Sequence, residues 1–176
     1  MIFKDILVKA AEIIGDSDID FTAPEEKTEK LISCGKMIYT ELTEEYVHLK
    51  HKEMLPVNDG RIYYSEFTKA VKDVMKIKKD GVICPFTLYP LFVAVEEEGD
   101  VEVSYVYHAE EPALEEELDL PPIFTSSVLS VGVASEYFYR SGLIDEAVFY
   151  KNRYDNSLLN LTRKRGYVKL RYRRFI

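Results

Sequence analysis

The spacing of apolar residues predicts two helices at the start of the chain. An amphipathic pattern covers residues 2–14 and stops at Gly15, a residue that commonly ends helices. After an acidic turn, Thr22 and Glu25 have the spacing of a capping box, and apolar residues then recur along one face. We therefore predict a second helix over about 23–46.

The period changes in the middle of the chain, where short runs rich in β-branched and aromatic residues predict strands. The runs are LKHKEMLPV, RIYYSEF, VMKIKK, VICPFTLY, LFVAV and VEVSYVYH. Asp-Gly and Glu-Gly-Asp turns separate several of them at hairpin-like intervals, which predicts an antiparallel meander. Pro56, Pro85 and Pro90 lack the N–H that a central strand needs. We therefore expect a small and irregular sheet.

The helical period returns near the C-terminus. The acidic segment 110–120 leads into two prolines and predicts a mobile or extended linker. Helices are predicted over 123–141, ending at Gly142, and from Asp145 to about Arg163. Because only a short turn joins them, these two helices should be antiparallel neighbours.

Together these patterns predict an α+β protein: mainly an antiparallel bundle of four helices, interrupted by a small antiparallel β insertion and followed by an extended basic C-terminal tail. The sequence shows no internal repeat or Gly/Ser-rich linker, so we expect one domain over residues 1–176. Its predicted parts are the first two helices (1–46), the β insertion (47–109), the acidic linker (110–122), the last two helices (123–165) and the tail (166–176).

The charge of the chain is unevenly distributed. The net charge is −8, but residues 163–176 hold seven of the 23 basic residues and no acid, which leaves −15 on residues 1–162. Such a body repels DNA phosphates, whereas the tail is attracted to acidic surfaces or phosphate. The sequence has no long apolar stretch and no apolar leader, so we expect a cytosolic protein that does not enter membranes.

Residues able to support catalysis or metal binding are scattered. His48, His51 and Glu53 suggest metal ligands, but residues three apart on a strand face opposite sides, so we expect no metal site. His108 precedes two glutamates and has no nucleophile near it in sequence. Phosphate-binding loops and nucleophile elbows are absent, so we expect no catalytic residue and no cofactor.

Two further features have simple structural interpretations. Two runs of glutamates lie around residues 96–98 and 115–117, and within each run the carboxylates have the same polar environment. A pair of catalytic acids needs two different environments, so we expect both runs to be solvated surfaces. Cys34 and Cys84 lie in apolar surroundings without a CxxC partner. We expect both to be free, buried thiols.

The tail segment KLRYRRF alternates basic residues with apolar ones, so an extended conformation would present one basic and one apolar face. This pattern predicts a docking segment, although a frayed basic terminus is the alternative. The candidate partner-binding residues are Lys169, Arg171, Tyr172, Arg173, Arg174, Phe175 and Ile176.

A family resemblance rests on four stretches of the chain. These are ISCGKMIYTELTEEYVHLKHKE, NDGRIYYSEFTKAVKDVMKI, the strands YPLFVAV and VEVSYVYH, and SVGVASEYFYRSGLIDEAVFYKNRYDNSLLNL. From about residue 25 to the end, the chain resembles the head-to-tail adaptor (neck) proteins of tailed bacteriophages, among them the tail tubular protein A type. The likeness lies in element order and in pieces such as GVASEY followed by SGLIDEA.

The resemblance implies a structural virion protein. In that family a helical bundle with a β insertion forms a ring, commonly of twelve copies, beneath the portal, and the C-terminal tail reaches onto the portal. The implied partners are the portal protein, the next neck or tail protein and further copies of the chain, with DNA passing through the lumen during genome ejection. The implied location is the virion neck, after assembly in the host cytoplasm.

Other functions remain open from the sequence. Another neck layer, such as a stopper or tail-completion protein, fits the same pattern. A cytosolic hydrolase or nucleotide-binding protein would assemble its site from residues such as His108, Asp145 and Glu146. A nucleic-acid-binding module would use Arg163 to Arg174, against the repulsion of the acidic body.

Overall fold

The computed structural model describes residues 1–16, 19–22 and 25–162 of the chain. Four α-helices and seven β-strands occur in these residues, with all strands between the second and third helices. The helices form one module and the strands form another. Each module has a hydrophobic core of its own.

The four helices follow the predicted positions closely. They are α1 (Phe3–Ile14), α2 (Glu26–Glu45), α3 (Ser126–Arg140) and α4 (Ile144–Thr162). Gly15 ends α1 with a φ of 83°, and its N–H donates to the carbonyls of Ala11 and Glu12. The predicted capping box is wrong, because Thr22 bonds Asp20 instead and α2 begins after Glu25 without a side-chain cap.

Two glycines let the helices approach each other closely. A Cβ on Gly35 of α2 would lie 2.5 Å from Leu7 Cδ2 of α1, and a Cβ on Gly132 of α3 would lie 2.9 Å from Tyr154 Cε2 of α4. Any larger residue would therefore push the helices apart. This explains why small residues occur at these positions in otherwise apolar helix faces.

The strands are β1 (Lys50–Val57), β2 (Arg61–Tyr63), β3 (Val71–Lys79), β4 (Val82–Cys84), β5 (Phe86–Leu88), β6 (Phe92–Val95) and β7 (Gly99–Tyr107). They form two antiparallel sheets, with strand orders β1-β7-β3-β4 and β2-β6-β5. The predicted meander is wrong: β1 pairs along its whole length with β7, the last strand, so that Lys50 lies opposite Val106 and Val57 opposite Gly99.

The two sheets share one core, and this overturns the predicted fold class. Buried side chains from both sheets, including Ile62 and Val93 of one and Val103 and Tyr105 of the other, form a single cluster. The fold is α+β with a two-sheet β module, not a helical bundle carrying a small β insertion. Only Pro85 separates β4, which belongs to the first sheet, from β5, which belongs to the second. The chain therefore passes directly from one sheet to the other, and the two sheets lie close enough to share a core.

The acidic segment 110–120 is held against the first helix. The N–H groups of Phe3 and Lys4 donate to the carbonyls of Glu116 and Leu114, and Leu118 is buried in the helical core. Its carboxylates point outward while its backbone satisfies the start of α1. The predicted linker is thus a packed part of the helical module.

Candidate interaction surfaces

The turn between α3 and α4 displays apolar side chains to solvent. The turn closes by a hydrogen bond from the Leu143 N–H to the Phe138 carbonyl. We define the hairpin surface as Tyr139, Leu143, Ile144, Val148 and Phe149, whose exposed fractions run from 46% for Leu143 to 64% for Tyr139.

The hairpin surface is accessible because α4 is apolar on two sides. Ala147, Tyr154 and Leu158 pack into the molecule, whereas Ile144 and Val148, four residues apart, share an outer face. Tyr139 and Val148 line one shallow groove between the helices. Clustered exposed apolar side chains of this kind mark interaction sites more often than isolated ones do.

A second set of exposed apolar residues follows the open edges of both sheets. β4 is an edge of the four-stranded sheet and β5 an edge of the three-stranded one. The exposed apolar side chains of this stretch are Val82, Ile83, Leu88, Tyr89 and Leu91. Edge strands with exposed apolar residues are surfaces on which another chain commonly packs. We call residues 82–91 the edge surface.

A groove of about 1060 Å³ runs along the outer side of α2. We call it the α2 groove. Its lining combines two apolar side chains with seven charged ones and two hydroxyls: Glu29, Ile32, Ser33, Lys36, Met37, Thr40, Glu41, Glu44, Glu45, Glu111 and Arg140.

Ion pairs at the edges fix the shape of the α2 groove. Lys36 Nζ lies 2.9 Å from Glu111 Oε2, and Lys151 Nζ lies 3.1 Å from Glu41 Oε1. The Arg140 guanidinium bonds Glu136 at 2.7 Å, which raises its pKa, and also donates to the Ser33 hydroxyl at 3.0 Å. Helix α2 is thereby held to the acidic segment on one side and to α3 and α4 on the other.

A three-residue polar cluster connects the helical and β modules. Glu44, in the last turn of α2, accepts from Lys72 Nζ of β3 at 2.7 Å and lies 2.8 Å from Nδ1 of His108. Lys72 Nζ also donates to the Glu44 carbonyl at 2.6 Å. The hydrogen bond from Lys72, followed by that with His108, lowers the pKa of the Glu44 carboxyl. The cluster fixes the position of the sheet relative to α2.

A second polar network lies inside the β module. The carboxylate of Glu53 accepts hydrogen bonds from the Tyr105 hydroxyl at 2.6 Å and from the backbone and hydroxyl of Thr68. Burial and the hydrogen bond with Glu53 raise the pKa of Tyr105 to about 12. This network holds the loop before β3 against the sheet.

The candidate catalytic residues are not brought together. His108 is paired with Glu44 of α2, whereas Asp145 and Glu146 are exposed in the first turn of α4. His51 packs edge-on against Tyr105, with ring centroids 5.7 Å apart. In the described residues, no three His, Cys, Asp or Glu side chains are close enough to hold a metal ion.

Two predictions about side-chain environments are confirmed. Glu96, Glu97 and Glu98 are exposed, as are the carboxylates of residues 115–117. Cys34 and Cys84 are free and buried.

The predicted docking residues lie outside the residues that the structure describes. These are Lys169, Arg171, Tyr172, Arg173, Arg174, Phe175 and Ile176. The α2 groove was not predicted. Its sequence signal is the recurrence of polar residues at positions 29, 33, 36, 40 and 44, a helical spacing that marks one outward face.

No helix in the described part of the chain is both long and apolar enough to cross a bilayer. A scan of protein-family models finds no match to the chain, and a search of curated proteins likewise finds no relative.

Proposed function

We propose that the chain is a non-catalytic structural subunit that assembles in copies as the head-to-tail adaptor ring of a tailed phage. The observation that carries the proposal is the exposed hairpin surface, with Phe149 63% and Tyr139 64% accessible in the isolated chain. Large apolar side chains clustered at the tip of a rigid helical hairpin support a role in binding another protein.

The distribution of apolar surfaces supports contacts between unlike sites on neighbouring copies. The hairpin surface belongs to the helical module and the edge surface to the β module, so each can serve a different neighbour. Contacts that join unlike surfaces produce rings when the rotation between copies closes. Burying one large apolar side chain contributes roughly 1.5–3 kcal/mol to the free energy of association, and the entropy cost of association opposes this gain.

The charge distribution is compatible with a channel for DNA. Residues 1–162 carry −15, so a ring of such bodies repels a passing duplex instead of retaining it. The same charge argues against the nucleic-acid-binding alternative.

The phage context comes from the sequence resemblance. It implies that the C-terminal tail binds the portal and adds the next neck or tail protein as a second partner. The basic and apolar pattern of the tail selects Lys169, Arg171, Tyr172, Arg173, Arg174, Phe175 and Ile176 as the portal-binding residues. No cofactor takes part in this proposal, and the location is the virion neck.

Native mass spectrometry of the protein mixed with the portal protein of the same phage tests the proposal. We expect one defined ring stoichiometry on each portal. A V148S/F149S variant should lose the ring while keeping its fold, because both side chains are exposed in the isolated chain. The matched control is Leu159→Ser, an equally exposed α4 position outside the hairpin surface.

Binding of one or two copies per portal, or none, would contradict the adaptor assignment. Equal loss of the ring in V148S/F149S and in L159S would show that the hairpin surface has no specific role.

A further inference from the structure

We propose that residues 163–176 of the chain bind in the α2 groove of the same chain. The inference concerns the isolated subunit. If the proposed function is right, it adds a regulatory step, because the portal-binding segment is then held on its own subunit before assembly.

The groove contains two apolar side chains, and the larger exposed one, Met37, is only partly covered by Arg140, whose guanidinium donates to the Met37 sulfur at 3.1 Å. Met37 is 47% exposed although it lies at the centre of α2, and Ile32 lies beside it in the same lining. The residues around them are almost all charged or hydroxylic. An occupant must therefore combine apolar side chains with polar or charged ones.

The charge of the lining selects a cationic occupant. Of the five glutamates in the lining, Glu111, Glu44 and Glu41 are already paired with Lys36, Lys72 and Lys151. Within the described residues, Glu29 and Glu45 at the two ends of the groove take part in no ion pair. Each can accept a new one without breaking an existing contact. Residues 163–176 supply seven cations and no acid.

The pattern of the segment matches this arrangement. Over residues 169–173, the basic Lys169, Arg171 and Arg173 alternate with Leu170 and Tyr172. An extended chain with this alternation presents apolar side chains on one side and basic ones on the other. The apolar side suits Ile32 and Met37, and arginines form hydrogen-bonded pairs with carboxylates at the rim.

The direction of α4 places the start of the segment near the end of the groove that lies at the C-terminus of α2. Lys30 near the start of α2 donates to Ser141 just after α3, so α2 and α3 are antiparallel, and the short turn after α3 makes α3 and α4 antiparallel as well. Lys151 of α4 also bonds Glu41 of α2. The two helices therefore run in the same direction here. Thr162, the last described residue of α4, follows Tyr154 by eight residues, or about 12 Å of helix.

The segment is long enough to return along α2. From Glu45 back to Glu29 the helix measures about 24 Å, so the complete path is roughly 36 Å. Fourteen residues in an extended conformation span about 46 Å. A segment tethered so close to its site also has an effective concentration in the millimolar range, which favours binding within one chain over binding between chains.

Paramagnetic relaxation enhancement tests the contact in the full-length protein. A nitroxide is attached through Ile176→Cys, which leaves Leu170 and Tyr172 in place, and labelling is selective because Cys34 and Cys84 are 0% and 5% exposed. We expect the amide signals of Ser33, Met37 and Thr40 to lose most of their intensity. In a mixture of spin-labelled unenriched protein with unlabelled ¹⁵N protein, the same signals should keep their intensity.

A charge-reversal pair distinguishes the groove from general attraction to an acidic body. E29K/E45K should lower the ratio of bound to free segment roughly fivefold, an effect typical of a few exposed charge pairs. E96K/E98K makes the same charge change on an exposed turn of the β module and should leave the ratio unchanged.

Three results would overturn the inference. The first is no broadening of the α2 amide signals. The second is equal broadening in the mixed sample, which would mean that the tail of another copy binds in the groove, and the third is an equal effect of the two charge-reversal pairs. The regulatory step has a separate readout, since E29K/E45K should associate with the portal roughly fivefold faster. Failure of portal binding in all variants would contradict the adaptor proposal and leave the spin-label result unaffected.

Discussion

Glu44 Oε1 and His108 Nδ1 lie 2.8 Å apart, which joins the last turn of α2 to the residue that follows β7. Lys72 completes the contact from β3. Tyr107, next to His108, packs against both hydrophobic cores. The helical and β modules are therefore connected by a polar cluster beside a shared aromatic ring.

Replacing Glu44 by Gln should lower the free energy of unfolding by about 1 kcal/mol at pH 7, because the bonds to Lys72 and His108 lose their charge assistance. Urea unfolding measures the change. The control Glu45→Gln, at an exposed neighbour, should shift stability by less than about 0.5 kcal/mol. Equal effects of the two variants would contradict a role for the cluster.

The Glu44 contribution should also depend on pH. The folded-state pKa of Glu44 is lowered, so its contribution is complete above the unfolded value of about 4.3 and is lost as the pH falls through the folded pKa. The stability difference between wild type and Glu44→Gln should shrink on acidification below that value. A difference that stayed constant from neutral pH to full protonation would argue against this linkage.

Gly132→Ala should destabilise the helical module by about 1–3 kcal/mol even though alanine favours helices. The added Cβ would lie 2.9 Å from the ring of Tyr154, which is fully buried. Thermal unfolding measures the loss. Ser127→Ala, at an exposed position of the same helix, should be neutral or slightly stabilising.

Replacing Glu96, Glu97 and Glu98 together by Gln should change stability by no more than about 0.5 kcal/mol, because all three are exposed. Glu53→Gln, by contrast, should cost about 1.5–3 kcal/mol, since its carboxylate accepts bonds from Tyr105 and Thr68. Urea unfolding of both variants makes the comparison. A loss above about 1 kcal/mol in the triple variant would show that the turn is buried.

The native thiols should react slowly. Burial raises the pKa of Cys34 to about 11, and thiolate is the reactive form. At pH 8 we expect Ellman's reagent to modify Cys34 at least about 100-fold faster in denaturant than in the folded protein. Cys84→Ser isolates the Cys34 signal. Rapid modification of folded protein would mean that α2 opens readily.

Deleting residues 167–176 should leave a folded protein, because the described residues 1–162 by themselves form both hydrophobic cores. On the proposed function, particles made with the deleted protein should lack tails and leak genome, since the assigned portal contacts are gone. Circular dichroism checks the fold, and electron microscopy of particles checks tail attachment. Heads that still acquire tails would move portal binding to the helices or the β module.

The elements of this fold are readable from short stretches of sequence. The predicted first helix, 2–14, corresponds to Phe3–Ile14, and Asp59 and Asp80 adopt the positive φ expected before glycine in tight hairpin turns. Every strand of the structure includes part of a predicted apolar run. These features depend on side chains a few residues apart, whose periodicity and turn preferences act locally.

The arrangement of the strands was decided by contacts between distant parts of the chain. The alternation of Val101, Val103 and Tyr105 indicates a buried face, but it does not say that β1 is the partner or that two sheets share the core. Many pairings bury the same alternating pattern, and only packing of all strands together selects one of them. The α2 groove arises in the same way, because its lining includes Glu111 and Arg140, which are distant from α2 in sequence and meet it only in the folded chain.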